Sequence, residues 1–266
     1  MNSQAPSGGG TVAKAAAVLD LVAEMDRPVR FSELLARSNQ PKATLYRLVQ
    51  TLTQTGLLAY DSTAHTYAPG LRLVRLAHAA WRHSALAPIA RPHLDALWDQ
   101  VGETLHLAQM DAGQVIYVDK RNAADPTPMF SQAGKIGPGY CTGVGKAIMA
   151  FLPDAQRTRA IARQAFYAHT PATLTSAPAL EAELAEIRNT GIAFDREEHE
   201  PGIICIAAPI RGADGAALGA LSITATTARR SLAELAAFQP ALTACAAAIA
   251  GAAQSWHFPT DQGGPT

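Results

Sequence analysis

The first sixty residues carry apolar positions at helical spacing, interrupted by two short breaks, and this pattern constrains the fold most. A first helix is predicted from Thr11 to about Asp26. A second, short helix is predicted with Ser32 as its N-cap. After a three-residue break, Pro41 is expected as the first residue of a third helix, which ends at Gly56. Three helices with a tight turn between the last two are typical of a helix-turn-helix.

The third predicted helix has two chemically different faces. Its apolar side chains recur at the spacing of one helix face, at Leu45, Leu48, Val49 and Leu52. The rest of the helix lacks carboxylates and supplies the candidate DNA contacts: Lys42, Ala43, Thr44, Tyr46, Arg47 and Gln50. Arg can pair with guanine and Gln with adenine, while Lys, Thr and Tyr suit phosphates, so this face is suited to DNA. An ordinary amphipathic helix with a solvated polar face is the alternative.

A predicted β-hairpin follows the third helix directly. Residues 57–60 and 65–70 are predicted as strands around a turn at Asp61–Ala64, which is the position of a wing. His65 is expected to be an exposed turn residue and not a metal ligand. The charge pattern agrees with a polyanionic partner for the first part of the chain. Residues 1–92 hold ten Lys and Arg against five Asp and Glu, whereas residues 93–266 hold twelve against seventeen.

This first part of the chain resembles the winged helix-turn-helix of the IclR family of bacterial transcriptional regulators. The likeness is carried by the run ATLYRLVQTLTQTGLL and by the hairpin text ending YAPGLRLVRLA, in which Pro69-Gly70 replaces the family's Leu-Gly. The resemblance implies that residues 71–87 form a linker helix whose apolar stripe packs against a partner subunit. Packing of that stripe on its own chain is the alternative. A homodimer or homotetramer is implied as the working assembly.

The second part of the chain mixes strand and helix patterns. Strands are predicted near residues 104–110, 115–120, 192–195, 203–210 and 217–224, with hairpin turns at 111–114 and 212–215. Helices are predicted at Pro88–Gln100, between Ser176 and Gly191, and from about Ser231 to Gln254. The whole chain is therefore expected to be multi-domain α+β, with a sensor domain built as a GAF-like antiparallel sheet with helices packed on it.

Two segments of this second part are similar to the same family, so the resemblance extends over roughly residues 11–254. The first segment is CTGVGKAIMA at 141–150. The second is FDREEHEPG at 194–202, followed by CIAAPI at 205–210 and GALSI at 219–223. In the family, small organic acids bind a cavity built from matching positions, which are Gly143, Val144, Asp195, Cys205, Ser222 and Thr224 in this chain. Val144 stands where a smaller Ala is expected.

The residues themselves also favour a small anion at this place. Gly143 and Gly145 flank a strand-to-helix junction, whose backbone N–H groups attract anions. The hydroxyls of Ser222 and Thr224 share one strand face, and a buried hydroxyl needs a partner, for which a ligand carboxylate is a candidate. Val144 and Ile206 are the apolar neighbours expected to limit the size of the ligand. For Cys205, a role as an ordinary small buried side chain is the alternative.

Other functions fit these residues less well. A P-loop requires Gly five positions before Gly145 and Ser or Thr directly after Lys146, but Tyr140 and Ala147 stand there. A cysteine-dependent hydrolase, or a redox or metal sensor, would use Cys141 or Cys205 and is the alternative function. Apolar surroundings raise the pKa of a thiol and so keep it neutral and unreactive, which disfavours this alternative function. We therefore expect no enzymatic activity, no cofactor and no bound metal.

The expected protein is a ligand-responsive, DNA-binding transcription regulator. Its apolar runs stay short of the roughly 20 residues that span a bilayer, and residues 1–10 lack the regions of a secretory signal, so a cytoplasmic protein is expected. The predicted partners are a double-stranded DNA operator and a small carboxylate metabolite, without a membrane. The predicted organisation is a tail at 1–10, a DNA-binding domain at 11–70, a linker helix at 71–87, an effector-binding domain at 88–256 and a tail at 257–266.

Overall fold

A computed structural model of the chain describes residues 10–84, 86–125 and 129–254. The chain divides into two compact units, one up to Ala80 and one from Trp81. The predicted tails at 1–10 and 257–266 lie outside the described residues apart from Gly10. Within the described residues, no helix is both long and apolar enough to cross a membrane.

The first unit contains three helices and a small sheet. Its elements are α1 (Thr11–Glu24), β1 (Val29–Arg30), α2 (Phe31–Arg37), α3 (Lys42–Gln54), β2 (Leu58–Asp61) and β3 (Thr66–Pro69). The three strands are antiparallel in the order β1-β3-β2. The apolar stripe of α3 is buried against Val18, Val22 and Leu34 from the other two helices. The helix-turn-helix and the hairpin predicted from the sequence are therefore both present.

Two predicted helix starts in this unit were wrong by one or two residues. Ser32 is not an N-cap, because Val29 pairs with Tyr67 in the sheet and α2 begins directly afterwards at Phe31. Instead, the carboxylate of Glu33 accepts a hydrogen bond from the N–H of Arg30 at 2.9 Å and so caps the N-terminus of α2. Pro41 is the residue before α3 and not its first residue, since its ψ of 142° is extended.

The helix α4 (Leu71–Ser84) joins the two units, and the second unit is a six-stranded antiparallel sheet with helices on both faces. Its helices are α5 (Ala87–Val101), α6 (Gly143–Ala150), α7 (Asp154–Ala162), α8 (Ala177–Thr190), α9 (Leu232–Ala236) and α10 (Gln239–Ala253). Its strands are β4 (Thr104–Asp111), β5 (Gln114–Arg121), β6 (Ile136–Pro138), β7 (Ala193–Arg196), β8 (Ile203–Arg211) and β9 (Ala217–Thr226). The strand order is β6-β5-β4-β9-β8-β7. The chain is thus α+β, as predicted.

The two faces of this sheet have different cores. On one face, Leu105, Ile206 and Leu221 pack with α5, α9 and α10. On the other face, the small residues Ala108, Ala207 and Ala220 pack with α6, α7 and α8. Because successive side chains of a strand alternate between faces, small and polar residues of β4, β8 and β9 collect on the face that α6 covers.

The last helical segment differs from its prediction as a single helix. It consists of α9 and α10, and the break falls at Ala237 and Phe238. Pro240 lies in the first turn of α10, where its missing N–H costs no hydrogen bond. Ser231 caps the N-terminus of α9, because its Oγ accepts a hydrogen bond from the N–H of Glu234 at 3.2 Å. The strand β6 and the helix α7 were not predicted.

Candidate functional site

The outward face of α3 presents the residues that the sequence suggested as DNA contacts. Lys42, Ala43, Tyr46 and Arg47 are exposed, whereas Thr44 and Gln50 are half-buried. The ring of Tyr46 meets the ring of Phe31 edge-on, with centroids 5.7 Å apart. An exposed tyrosine held in this way loses little conformational freedom on binding. The face thus combines two basic side chains, two hydroxyls and an amide on one rigid element.

The wing is closed by local hydrogen bonds. Asp61 Oδ1 accepts the N–H groups of Thr63 and Ala64 at 2.8 and 3.1 Å. His65 is exposed with a φ of 55°, and its Nδ1 lies 2.8 Å from the hydroxyl of Tyr60. The predicted position of His65 in an exposed turn is confirmed.

A second candidate site lies between α6 and the sheet in the second unit. All six residues carried over from the family line one cavity there: Gly143, Val144, Asp195, Cys205, Ser222 and Thr224. Seven further residues complete its lining: His106, Tyr117, Ser131, Thr142, His199, Glu200 and Ile203. The cavity volume is about 30 Å³, which holds one or two water molecules.

Strand register brings the polar groups of the cavity together. His106 lies opposite Ser222 where β4 pairs with β9, and Cys205 lies opposite Thr224 where β8 pairs with β9. The Nδ1 atom of His106 is 3.1 Å from the Thr224 hydroxyl and 3.4 Å from the Ser222 hydroxyl. Its Nε2 atom is 2.7 Å from the hydroxyl of Ser131. The two hydroxyls therefore have a protein partner in His106, in addition to the ligand carboxylate that the sequence suggested as one candidate.

His106 is a neutral hydrogen-bonding group at this site. Burial lowers the pKa of His106 to about 3, with a smaller contribution from the positive charge of Lys120. The sequence analysis did not assign this histidine to the ligand site. The alternation of Thr104, His106 and Ala108 on the small-residue face of β4 was the signal that could have identified it.

The N-terminus of α6 meets β8 at very close range. A Cβ atom on Gly143 would collide with Cys205 Sγ and would lie 3.4 Å from the Cβ of Ala207. Thr142 caps the helix, because its Oγ1 accepts the N–H of Gly145 at 3.3 Å. The first N–H groups of α6, those of Gly143 and Val144, have no carbonyl partner within the helix and lie at the cavity. This end of α6 gives the cavity a partial positive charge.

Asp195 places a carboxyl group inside the cavity. Its exposed fraction is 6%, and its Oδ1 accepts the N–H of Glu198 at 2.8 Å. Burial raises the pKa of Asp195 to about 7, and the negative charges of Glu198 and Glu200 contribute to the rise. The N–H of Glu198 and the positive charge of Lys146 oppose that rise without cancelling it.

Lys146 lies on α6 with none of its surface exposed. Its Nζ contacts Glu183 Oε1 at 3.0 Å and Glu198 Oε1 at 2.5 Å. The lysine is therefore a buried ionic anchor for the acidic loop after β7, and the P-loop interpretation is excluded by this geometry. Sequence reasoning missed this role, because Glu183 and Glu198 lie 37 and 52 positions away in the chain.

The acidic loop from Glu197 to Gly202 is held over the cavity from two sides. Thr170 and Thr173 donate their hydroxyls to the carbonyls of Glu197 and Glu198 at 2.7 and 2.6 Å. The ring of His199 contacts Phe130 and His169, with centroids 5.1 and 4.9 Å apart. His199 lines the cavity, so this aromatic cluster lies at its edge, and the pair of His199 and Phe130 is called the cover.

Comparison with known families matches both units. A family profile described as the IclR helix-turn-helix domain matches residues 11–62. A second profile, described as the C-terminal part of the bacterial transcriptional regulator IclR, matches residues 78–251.

The chain belongs to the IclR family of bacterial transcriptional regulators. It is similar to the HTH-type transcriptional regulator XynR of Escherichia coli, at 29% identity over 91% of this chain and 96% of that protein. Among solved structures, the IclR of Thermotoga maritima shares 28% identity, with a TM-score of 0.70 over 91% of this chain and 97% of that chain. An IclR homolog from Microbacterium hydrocarbonoxydans, solved with 4-hydroxybenzoate, has the same fold at 21% identity, with a TM-score of 0.76 over 91% and 98% of the two chains.

As an IclR-family member, the protein is a transcription regulator with a DNA-binding helix-turn-helix and a C-terminal ligand-binding domain. The geometry of its cysteines disfavours the alternative of a thiol enzyme. Burial raises the pKa of both Cys141 and Cys205, and the negative charge of Asp195 adds to the rise at each. A neutral thiol is a poor nucleophile. Among the described residues, no cluster of three His, Cys, Asp or Glu could hold a metal ion.

Proposed function

We propose that this regulator binds a small organic acid in the cavity under α6 and that occupancy changes its affinity for a DNA operator. The observation that carries this proposal is that six residues from α6, β7, β8 and β9 surround one buried cavity. We propose residues 11–70 as the DNA-binding domain, 71–87 as the linker and 88–256 as the effector-binding domain. Residues 1–10 and 257–266 are proposed as tails at the two ends of the chain.

The proposed DNA contacts are the exposed and half-buried residues of α3. In this scheme Arg47 and Gln50 contact base edges, while Lys42, Thr44 and Tyr46 contact phosphates and Ala43 allows close approach. One such helix specifies too few base pairs to select an operator in a genome. A homodimer, or a homotetramer made of two such dimers, would read two half-sites and supply the missing specificity.

The proposed ligand is a small hydroxy- or oxo-acid. The N-terminus of α6 favours a carboxylate, and the side chains of His106, Ser222 and Thr224 offer polar partners for a second oxygen. Val144 and Ile203 limit the size of the ligand, whereas Ile206, which the sequence suggested for this role, packs on the opposite face of the sheet. The Microbacterium homolog binds 4-hydroxybenzoate, which is a hydroxy-acid.

The cavity must widen to admit such a molecule, since its present volume of about 30 Å³ is smaller than an organic acid. We propose that the cover formed by His199 and Phe130 moves to open the cavity, because Phe130 is 42% exposed. A ligand that holds this cover in a new position has a higher affinity for that arrangement of the domain than for the present one. Unequal binding of this kind is what allows an effector to alter DNA affinity.

The proposal is tested by a double substitution in the cavity. Small hydroxy- and oxo-acids, with their amides as controls, are first screened by thermal shift on the purified full chain. Ser222→Ala combined with Thr224→Val should abolish the effect of a binding acid on operator affinity in a gel shift, while basal DNA binding persists. Thr158→Val, an exposed threonine on α7, is the matched control and should change neither. If calorimetry shows unchanged acid affinity in the double variant, the acid binds elsewhere.

A further inference from the structure

The cavity under α6 has an unusual charge composition for an anion site. Its lining includes the two carboxyl groups of Asp195 and Glu200 and the two rings of His106 and His199. Among the described residues that line it, there is no Lys or Arg. Burial lowers the pKa of His199 to about 4, as it lowers that of His106, so both rings are neutral near pH 7. The side chains therefore bring negative charge and no compensating cation.

The nearest buried cation is already engaged. Lys146 donates to Glu183 and to Glu198, which leaves it facing two carboxylates. In the part of the chain that the structure describes, no Lys, Arg or His forms an ion pair with Asp195 within 4.0 Å. An organic carboxylate entering this cavity would stand beside an ionised Asp195 at high cost, because two like charges repel strongly in a low-dielectric site.

We propose that Asp195 enters the complex as a neutral carboxylic acid and donates its proton in a hydrogen bond to the carboxylate of a monoanionic acid. Where Asp195 is ionised in the free protein, binding takes up one proton from solvent with each ligand anion, and Asp195 selects monocarboxylates over dicarboxylates. This inference rests on the proposed function, because it assumes an acid in this cavity. Titratable and charged groups from every neighbouring element face Asp195: Tyr117, Cys141, Lys146, Glu198, Glu200 and Cys205.

The protonation of Asp195 agrees with its surroundings. Burial, together with Glu198 and Glu200, holds the pKa of Asp195 near 7, far above its ordinary 3.8. Such a carboxyl contributes stability below the unfolded pKa and loses that contribution as the pH rises towards 7. An asparagine at this position keeps an oxygen that accepts the Glu198 N–H and adds a donor, so it imitates the neutral acid.

The first arm of the test needs no ligand. Melting temperatures of the wild type and of Asp195→Asn are compared at about pH 5.5 and about pH 8. The difference in favour of the variant should grow by roughly 4–8 °C between the two conditions. Asp119→Asn is the matched control, because Asp119 is also 6% exposed but pairs with Arg91 and Arg121. That variant should be less stable than the wild type at both pH values.

An unchanged difference between Asp195→Asn and the wild type would mean that Asp195 is ionised throughout, and the proposal would be wrong. Carbon-13 titration of the aspartate carboxyl groups in the unsubstituted protein gives the same answer should the variant fail to fold. A carboxyl titrating near 7 supports the proposal, and aspartates that all titrate near their ordinary value overturn it.

The second arm uses glycolate, 4-hydroxybenzoate and the dianion malonate as probes in calorimetry. Binding of the monocarboxylates should weaken about 10-fold from pH 6 to pH 8 in the wild type and change little in Asp195→Asn. Malonate should bind neither protein measurably at about pH 8, where both of its carboxyl groups are ionised. Monocarboxylate binding that is equal at both pH values overturns this inference but leaves the proposed function standing. If none of the three binds, the proposed ligand class and this inference fail together, while the first arm still reports the state of Asp195.

Discussion

The helices α3 and α6 carry the two candidate sites but differ in how much of their surface is buried. In α3, four apolar side chains are buried and the remaining residues are exposed or half-buried. In α6, every residue from Gly143 to Ala150 is buried, including Lys146. The surface of α3 is therefore free to match DNA without disturbing the fold. The residues of α6 must satisfy the packing of the core and, in the proposed function, ligand binding as well, so changes there should affect stability first.

Removal of the buried ammonium group should produce the largest effect. Lys146→Ala leaves the carboxylate of Glu198 without its cation, and Glu198 has an exposed fraction of 3%. Breaking a buried pair in this way costs about 3–5 kcal/mol of unfolding free energy, measurable by urea denaturation. On α3, the exposed Lys42→Ala should stay within about 0.5 kcal/mol of the wild type. Equal effects of the two substitutions would remove the contrast between the helices.

A single methyl group should be the next most disruptive change in α6. Gly143→Ala places a Cβ against Cys205 Sγ, so the helix or the strand must shift, at a cost of about 1–3 kcal/mol. Gly251→Ala on α10 is the matched control, because a Cβ there meets nothing within 4 Å. That control should stabilise the protein by about 0.5–1 kcal/mol through higher helix propensity. A stabilised Gly143→Ala variant would show that α6 and β8 are not in such close contact.

The smallest effect on stability, and a clear effect on binding, is expected on α3. Arg47→Ala should leave thermal unfolding unchanged, because Arg47 is exposed. Operator binding at fixed salt should weaken roughly 5- to 100-fold, and the salt dependence should become less steep if the contact is to phosphate. Arg37→Ala at the end of α2 provides a comparison outside the proposed interface. Unchanged gel-shift affinity would remove Arg47 from the proposed DNA contacts.

Features set by local sequence were predictable. The apolar period of α3 predicted its buried face, and Ser176 and Gly191 marked the two ends of α8. The six cavity positions followed from a family resemblance, and the register of β4, β8 and β9 brought them together. Their role in ligand binding stays a prediction.

Features set by distant contacts were not predictable in the same way. A lysine in an alanine- and glycine-rich run normally reaches solvent. No residue near Lys146 in the chain indicated that it would pair with two carboxylates. The break before α10 was missed because the Ala-rich run offers little contrast between faces. Pro240 was nevertheless a local signal for a new helix start.

The burial of Cys205 makes the labelling rate of its thiol a measure of how often the cavity opens. Its thiol is 6% exposed and lines a space of about 30 Å³, which is too small for a maleimide or an aromatic disulfide. Under the proposed function, such reagents react with Cys205 only in molecules whose cover has opened, so the labelling rate reports the frequency of opening. Cys141 lies outside the cavity lining and is fully buried, which makes it an internal reference for opening of the whole domain. The ratio of the two rates separates opening of the cavity from unfolding of the domain, and the measurement needs no known ligand.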